Sequence, residues 1–434
     1  MTLICIKTSG CAHNMADSEA MAQFLVEAGY SVIHEDETDA DLIVYNTCTV
    51  KNPTDDKFFT KLKRTTKPVV IAGCIPQSQK DADWLKDHVA LGVDMLDKIV
   101  DAVKAKLNGE IVHFLENTPL PPIRNFLPTK RRNPFVAIVP LLQGCLGNCT
   151  YCKTKAARGN LKSYPTKDII KQIRLAKHAG VKEVWLVSED NGAYGLDINT
   201  TLPKLLREII KLEGKQEQNA EHRLPAFRVR VGMLNPQYAF RYANELAEIL
   251  EHNLFYKFLH IPVQVGSDKV LKEMKRPYTI KQFKQAISTI RTAISNFTFA
   301  TDIIAGYPTE TEDDFKETMK LLAEEKFTVI NISKFYPRPG TPAAAMQLIS
   351  TKEVKARSKA VSDWFTKRNN NEHYVGQIVS ALFTEKGKNN SFVGRTENYK
   401  QVIVINTDDS ILGTIKNVKV LSTTRDDLKG DLVE

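Results

Sequence analysis

Three cysteines stand within eight residues in the segment QGCLGNCTYCKTKAARG. They are Cys145, Cys149 and Cys152, spaced C-x3-C-x2-C directly after the apolar run PFVAIVPLLQG. Three thiolates on one tight loop can hold three irons of a 4Fe–4S cube and leave the fourth iron without a protein ligand. An open iron can bind and reduce a small molecule, whereas a purely electron-carrying cluster normally has four protein ligands. The competing chemistry is structural zinc, which closes four ligands and usually pairs one C-x2-C with another or with histidines. No histidine lies between Asn133 and Lys177, and the remaining cysteines are far off in sequence. The spacing favours the open cluster over zinc.

Three of those distant cysteines share a second pattern. Cys11 follows the β-branched run LICIKT by a few residues, Cys48 ends DLIVYNTC, and Cys74 ends VVIAGC. These runs and SVIHE alternate with the amphipathic segments DSEAMAQFLVEAG and LDKIVDAVKAKL, the first opened by an Asp/Ser cap signal. Strands alternating with helices imply a parallel sheet, whose ligands sit beyond the C-terminal strand ends. Each cysteine alone reads as a small buried hydrophobe; three at strand ends imply a common edge. Cys5 lies inside the first strand and is assigned to the core.

The polar, proline-marked segment ENTPLPPIRNFLPTKRRNP reads as a linker. Beyond it come six strand-then-helix units, with strands PFVAIVPLL, EVWLVSE, FRVRVGM, FYKFLHIPVQ, FTFATDIIAGYP and VINISKFYP. Six such units predict a partial (β/α)6 barrel with its site at the C-terminal strand ends, where the cysteine triad falls. After the helix TKEVKARSKAVSDWFTKRNNN, short strands with turn residues predict a small all-β barrel of the oligonucleotide-binding size class. There, Phe383, Phe392, Tyr399, Arg395 and Lys400 are candidates for a nucleic-acid face. The fold class is therefore α/β, divided into an N-terminal parallel-sheet domain (1–120), a basic linker (121–132), the barrel (133–370) and the C-terminal β-barrel (371–434).

The formal net charge of +9 over 434 residues is unevenly placed. Residues 1–120 carry 12 Lys and Arg against 18 Asp and Glu, while residues 121–180 carry 12 against 1. The stretch holding the cysteine triad is thus itself basic, which points to a polyanionic substrate. Seven scattered cysteines, an odd number, fit reduced thiols and metal ligation better than a disulfide framework. No apolar run approaches the 18 or so residues of a membrane span, and MTLICIKTSG has no signal-peptide pattern.

These motifs resemble the methylthiotransferase family of radical S-adenosylmethionine (SAM) enzymes over nearly the whole chain. TSGCAHNMADSE, DLIVYNTCTVKNPTDDK and VVIAGCIPQ are similar to that family's N-terminal cluster domain, and QGCLGNCTYCKTKAARGNLKSYP to its radical SAM motif. FLHIPVQVGSDKVLKEMKRPYT, TDIIAGYPTETEDDF and KFYPRPGTPAAAM resemble its later barrel segments, and the C-terminal barrel resembles a TRAM domain, an RNA-binding module. GCIPQ, CKTKAARGNLKSYP and SEDNGAYG are most similar to the archaeal and eukaryotic branch acting on threonylcarbamoyladenosine in tRNA. The sequence departs from the family pattern at Val265, where a small polar residue is expected, and at His13, where related chains vary.

The resemblance implies two 4Fe–4S clusters, one on Cys145, Cys149 and Cys152 that binds SAM, and a second on Cys11, Cys48 and Cys74 that holds the sulfur to be transferred. It implies methylthiolation at carbon 2 of the adenine next to the anticodon, the adenine lying between the clusters. Glu189 is a candidate for the SAM amino group, and Arg158, with Lys162, for phosphate or the SAM carboxylate. The partners implied are the tRNA anticodon stem-loop, a reductant protein and a sulfur donor. Eukaryotic members end in a membrane anchor; this chain ends at LKGDLVE, so a cytoplasmic monomer away from any membrane is expected. The alternatives are the same chemistry on isopentenyladenosine or on a ribosomal-protein aspartate, a non-catalytic zinc-bearing RNA-binding module, and a TRAM-bearing RNA methyltransferase without clusters.

Overall fold

The computed structural model describes residues 2–49, 54–118, 131–213, 227–405 and 407–433. Most of the expected linker lies outside the described residues. The first unit is a six-stranded, wholly parallel sheet in the order β2-β1-β3-β4-β5-β6. Its strands are β1 (Leu3–Thr8), β2 (Ser31–His34), β3 (Leu42–Thr47), β4 (Val69–Gly73), β5 (Val89–Leu91) and β6 (His113–Phe114). The first four follow the β-branched runs. The last two are so short that their sequences carry no period. Cys5 is fully buried in β1, and that burial pushes its thiol up to about 11.

The first helix, α1 (Ala12–Glu27), corrects an expectation. It begins directly after Cys11, five residues before the Asp/Ser cap signal. Asp17 and Ser18 are buried inside it. Their side chains have tertiary partners instead of helix ends: Asp17 meets Arg158, and the Ser18 hydroxyl meets Thr8 and the Asn46 amide. An internal cap signal yields when the surrounding fold satisfies the same polar groups. α1 is buried on nearly all sides because it packs between its own sheet and the next unit.

The central unit has six parallel strands in two linked groups of three: β7 (Val136–Pro140), β10 (Glu183–Val187) and β11 (Arg228–Val231), then β12 (Phe258–His260), β13 (Thr298–Ala305) and β14 (Val329–Lys334). A parallel bridge between Val229 and Phe255 joins them. A short antiparallel pair, β8 (Leu142–Gln143) and β9 (Lys162–Ser163), brackets the cysteine loop. One face of the six strands, including Val139, Val184, Leu186, Val229, Leu259 and Ile303, packs with the helices into the largest core of the molecule. Val265 belongs to that core. Strands between helices must bury one face this way, and the other face is left to line a lumen.

The third unit is a closed five-stranded barrel, β15 (Ile378–Lys386), β16 (Phe392–Thr396), β17 (Gln401–Val404), β19 (Asp427–Val433) and β18 (Thr414–Thr423), in that order. It corrects the expected nucleic-acid face. Phe383 and Phe392 are in its core, Lys400 is buried on the Asn371 side chain, and Tyr399 packs on Tyr256 and Phe258 of the central unit. Arg395 stacks on Tyr399. Closing a small barrel needs its aromatic residues inside, so they are not free to stack on bases.

Candidate functional site

The N-terminal sheet delivers three cysteines to one edge. Cys11 follows the end of β1, Cys48 follows β3 directly, and Cys74 follows β4 directly, opening the short helix Cys74–Ser78. Two glycines make this approach possible. At Gly10 (φ +133°) an added Cβ would stand 2.6 Å from Cys48 Cβ. At Gly73 (φ +95°) it would stand 2.5 Å from the Thr47 carbonyl oxygen. Both positions have conformations that side chains rarely adopt.

Asn14, one turn into α1, ties this triad together. Its Oδ1 accepts from Cys11 Sγ at 3.3 Å, and its Nδ2 donates to the Thr47 carbonyl at 3.2 Å and to Cys74 Sγ at 3.8 Å. A hydrogen bond from Cys48 lowers the Cys74 thiol to about 6 against the opposing effect of burial, and the charge of Arg158 adds to the lowering.

The second triad sits on the loop after β8. The Gly147 amide donates to Cys145 Sγ at 3.2 Å, the Thr154 amide to Cys152 Sγ at 3.4 Å, and Arg276 Nη1 to Cys149 Sγ at 3.2 Å. Burial pushes Cys145 up to about 12 and raises Cys152. As bare thiols they keep their protons at neutral pH, and they become thiolates when a metal displaces those protons. Each sulfur then has a donor already aimed at it, the arrangement that stabilises cluster thiolates.

A buried ion network joins the N-terminal unit, beside its cysteines, to the central unit. Arg158 places Nη2 2.7 Å from Asp17 Oδ2 on α1 and Nε 3.1 Å from Glu189 Oε1, just past β10. Glu189 Oε1 also meets His13 Nδ1 at 2.8 Å. Burial would raise Glu189, but His13 and Arg158 outweigh it and hold the carboxyl below its usual range. The helix Cys74–Ser78 packs on the helix Thr154–Arg158, and Cys74 touches Ala157. The helix that opens at Cys74 and the helix that follows the Cys145–Cys152 loop therefore pack together across a domain boundary, although they are far apart in the chain.

Of the other expected residues, Arg158 is 3% exposed, with its guanidinium turned to Asp17 and Glu189. Lys162 donates to Asp94 at 2.9 Å and to the Thr118 carbonyl at 2.6 Å. In the basic stretch, Lys167, Lys171 and Arg174 are exposed on the helix Thr166–His178. Sequence reasoning missed Asn14, Asp17 and Arg276. It also missed Asp190, whose carboxyl is raised to about 6 by burial and accepts from the Gly192 and Asn235 amides. For Asn14, Asp17 and Asp190 the signal was proximity to the cysteine and SED motifs, which gives no direction for a side chain; Arg276 is 127 positions from Cys149 and carried no such signal.

Each set offers three thiols, the donor type an iron–sulfur cube takes. Among the described residues no group of three or more His, Cys, Asp or Glu side chains is arranged to hold one metal ion. Zinc draws its sulfurs to about 2.3 Å from one centre, whereas a cube spreads three thiolates over three irons. His13 Nε2 and Glu189 Oε2 are buried without a hydrogen-bond partner beside the triads. Orphaned polar atoms of this kind are expected where a polar ligand belongs.

Residues 139–322 match the radical SAM superfamily, residues 372–433 match the TRAM domain, and residues 3–92 match an uncharacterized protein family, UPF0004. The chain is 41% identical over 439 residues to the threonylcarbamoyladenosine tRNA methylthiotransferase of Drosophila melanogaster, covering 99% of this chain and 77% of that protein. It is 40% identical to the Homo sapiens protein of the same name, covering 99% and 74%. The chain belongs to the methylthiotransferase family of radical SAM proteins.

Another family member, the probable threonylcarbamoyladenosine tRNA methylthiotransferase of Archaeoglobus fulgidus, is 37% identical and is 95% covered, with 96% of this chain aligned. The family fold also extends to distant proteins. The radical SAM methyltransferase TsrM of Kitasatospora setae superposes with a TM-score of 0.56 at 14% identity, over 79% of this chain and 75% of that one. No helix among the described residues of this methylthiotransferase family member is long and apolar enough to cross a membrane.

Proposed function

We propose that this protein methylthiolates carbon 2 of N6-threonylcarbamoyladenosine next to the anticodon of tRNA. The observation that carries the proposal is the packing of the helix after the Cys145–Cys152 loop on the helix that opens at Cys74, tied by the buried Arg158–Glu189–His13 network. The threonylcarbamoyladenosine tRNA methylthiotransferases to which the chain is similar supply the nucleoside. Cys145, Cys149 and Cys152 would hold a 4Fe–4S cluster that binds SAM; Cys11, Cys48 and Cys74 would hold a second. These groups, when bound, supply the one-electron and sulfur chemistry that no side chain can provide at an unactivated aryl C–H bond.

The chain's own residues prepare the place. The Gly147 and Thr154 amides and Arg276 stabilise the first thiolate set, and Asn14 organises the second. Arg158 fixes α1 against the strand end that carries Glu189, so both donor sets keep one spacing. Glu189 Oε2 is free to accept from an ammonium group. The adenine must leave its stack to enter, which is cheapest for a single-stranded loop base. The reductant protein and the sulfur donor act from outside, and the cytoplasm, where tRNA is met, is the compartment this reading requires.

Nucleoside mass spectrometry of tRNA from a deletion strain tests the substrate. Loss of 2-methylthio-N6-threonylcarbamoyladenosine is expected, with its unmethylthiolated precursor retained. Loss of a methylthiolated isopentenyladenosine or of a peptide modification, with this nucleoside unchanged, defeats the proposal. Binding should also be strongly salt-dependent. With about six phosphate contacts from exposed residues such as Lys167, Lys171 and Arg174, tRNA affinity should fall on the order of a thousandfold between about 50 and 200 mM salt. A nearly flat titration removes tRNA from the account.

A further inference from the structure

The concave face of the central sheet carries a cation that the chemistry above does not use. Val184, Leu186, Val229 and Val231 are buried against the helices. Alternation therefore turns Trp185 and Arg230 to the concave side, where they are cross-strand partners. The Arg230 guanidinium lies 5.7 Å from the Trp185 ring centroid, 5.4 Å from Phe258 and 5.2 Å from Tyr399. Tyr399 comes from the C-terminal barrel, so two units build this cage. Trp185 and Tyr399 also border a cavity of about 560 Å³, which leaves open space beside the cage.

Arg230 is half-buried and has no directly bonded acceptor, although the charge of Glu183 reaches it through space. Its Nε is buried without a hydrogen-bond partner, and among the described residues it makes no ion pair or hydrogen bond. The buried acid of the neighbouring strand, Glu183, instead accepts from Trp185 Nε1 at 2.6 Å and Thr384 Oγ1 at 3.3 Å. On the same concave face, Asp302 Oδ1 meets His260 Nε2 at 2.8 Å and accepts from Asn331 Nδ2 at 2.7 Å. A planar guanidinium walled by rings and without a direct ion pair matches a carboxylate in shape and charge.

We infer that Arg230 receives the carboxylate of the threonyl arm of the modified adenosine, inside the lumen and beneath the cysteine loop. The inference rests on the nucleoside proposed above. Arg230 lies one residue before the end of β11 and Trp185 two before the end of β10, roughly 3–7 Å below the strand ends. The arm reaches roughly 6 Å from the purine to its carboxylate by ordinary bond lengths. The ring therefore stays at the strand ends while the arm descends. An uncharged arm covers the guanidinium without giving it a direct ionic partner, which selects against that arm.

The test compares two synthetic anticodon stem-loops on the reconstituted holoenzyme: one with threonylcarbamoyladenosine, and one with the same arm ending in a carboxamide. The wild-type protein should prefer the carboxylate by at least about tenfold in kcat/KM. Arg230→Gln should bring that ratio to about one, and Arg230→Lys should retain part of it. Equal wild-type turnover of both RNAs overturns the carboxylate site and leaves the proposed activity standing. Turnover of neither, with turnover of an isopentenyladenosine stem-loop, overturns both. If Arg230→Gln does not fold, Arg230→Lys decides: a lowered ratio supports the site, and a ratio equal to wild type overturns it.

Discussion

Cys149→Ala will abolish reductive cleavage of SAM, whereas Cys48→Ala will leave that cleavage near the wild-type rate and abolish methylthiolation. The two residues belong to separate donor sets on separate units: Cys149 on the loop after β8, Cys48 at the end of β3. Each set has its own supporting donors, Arg276 for Cys149 and Asn14 for the group around Cys48. Removing one thiolate from a three-thiolate site leaves too few ligands to keep a cube. Anaerobically reconstituted wild-type protein should contain about eight irons per chain, and each variant about four. 5′-Deoxyadenosine release and iron analysis read the two effects separately. If both variants lose SAM cleavage alike, or if wild-type protein takes up one cluster's worth of iron, the division between the triads is wrong.

The second large effect is expected at Arg158. Its guanidinium is 3% exposed and neutralises two buried carboxylates from different units, Asp17 on α1 and Glu189 past β10. Arg158→Met keeps much of the volume but leaves both acids without that cation. Breaking a buried pair in this way costs about 3–5 kcal/mol, far more than a surface pair contributes. The loss falls on the contact between the N-terminal sheet and the central unit. Calorimetry should show an earlier transition for the N-terminal unit, limited proteolysis should cut faster between the units, and methylthiolation should fall more than SAM cleavage. A double replacement of Arg158 by Met and Asp17 by Asn should recover part of the stability, because it removes one of the stranded charges. Unchanged melting and proteolysis in Arg158→Met would show that the network does not hold the units together.

Much of the architecture could be read without coordinates because its signals are local. β-Branched runs became β1 to β4, and the six strand-then-helix units became the central parallel strands. The cysteine that follows each of three strand runs did arrive at a common edge, since a parallel sheet places every strand end on the same side. Local signals misled where a tertiary partner replaced a local one. Asp17 and Ser18 looked like a helix start and lie inside α1. Phe383, Phe392 and Lys400 looked like a binding face and are buried by barrel closure. Arg158 counted toward a basic surface and is among the most buried charges in the chain.

By itself, then, the sequence determined which residues can ligate metal and which strands carry them, because loop spacing and strand period are fixed by covalent geometry within a few residues. Only the tertiary structure decided which charges pair. Arg158 and Asp17 are 141 positions apart, and Arg230 meets Tyr399 across two units. Such partners are chosen by packing and by the cost of burying an unpaired charge, and neither is written in the neighbouring residues.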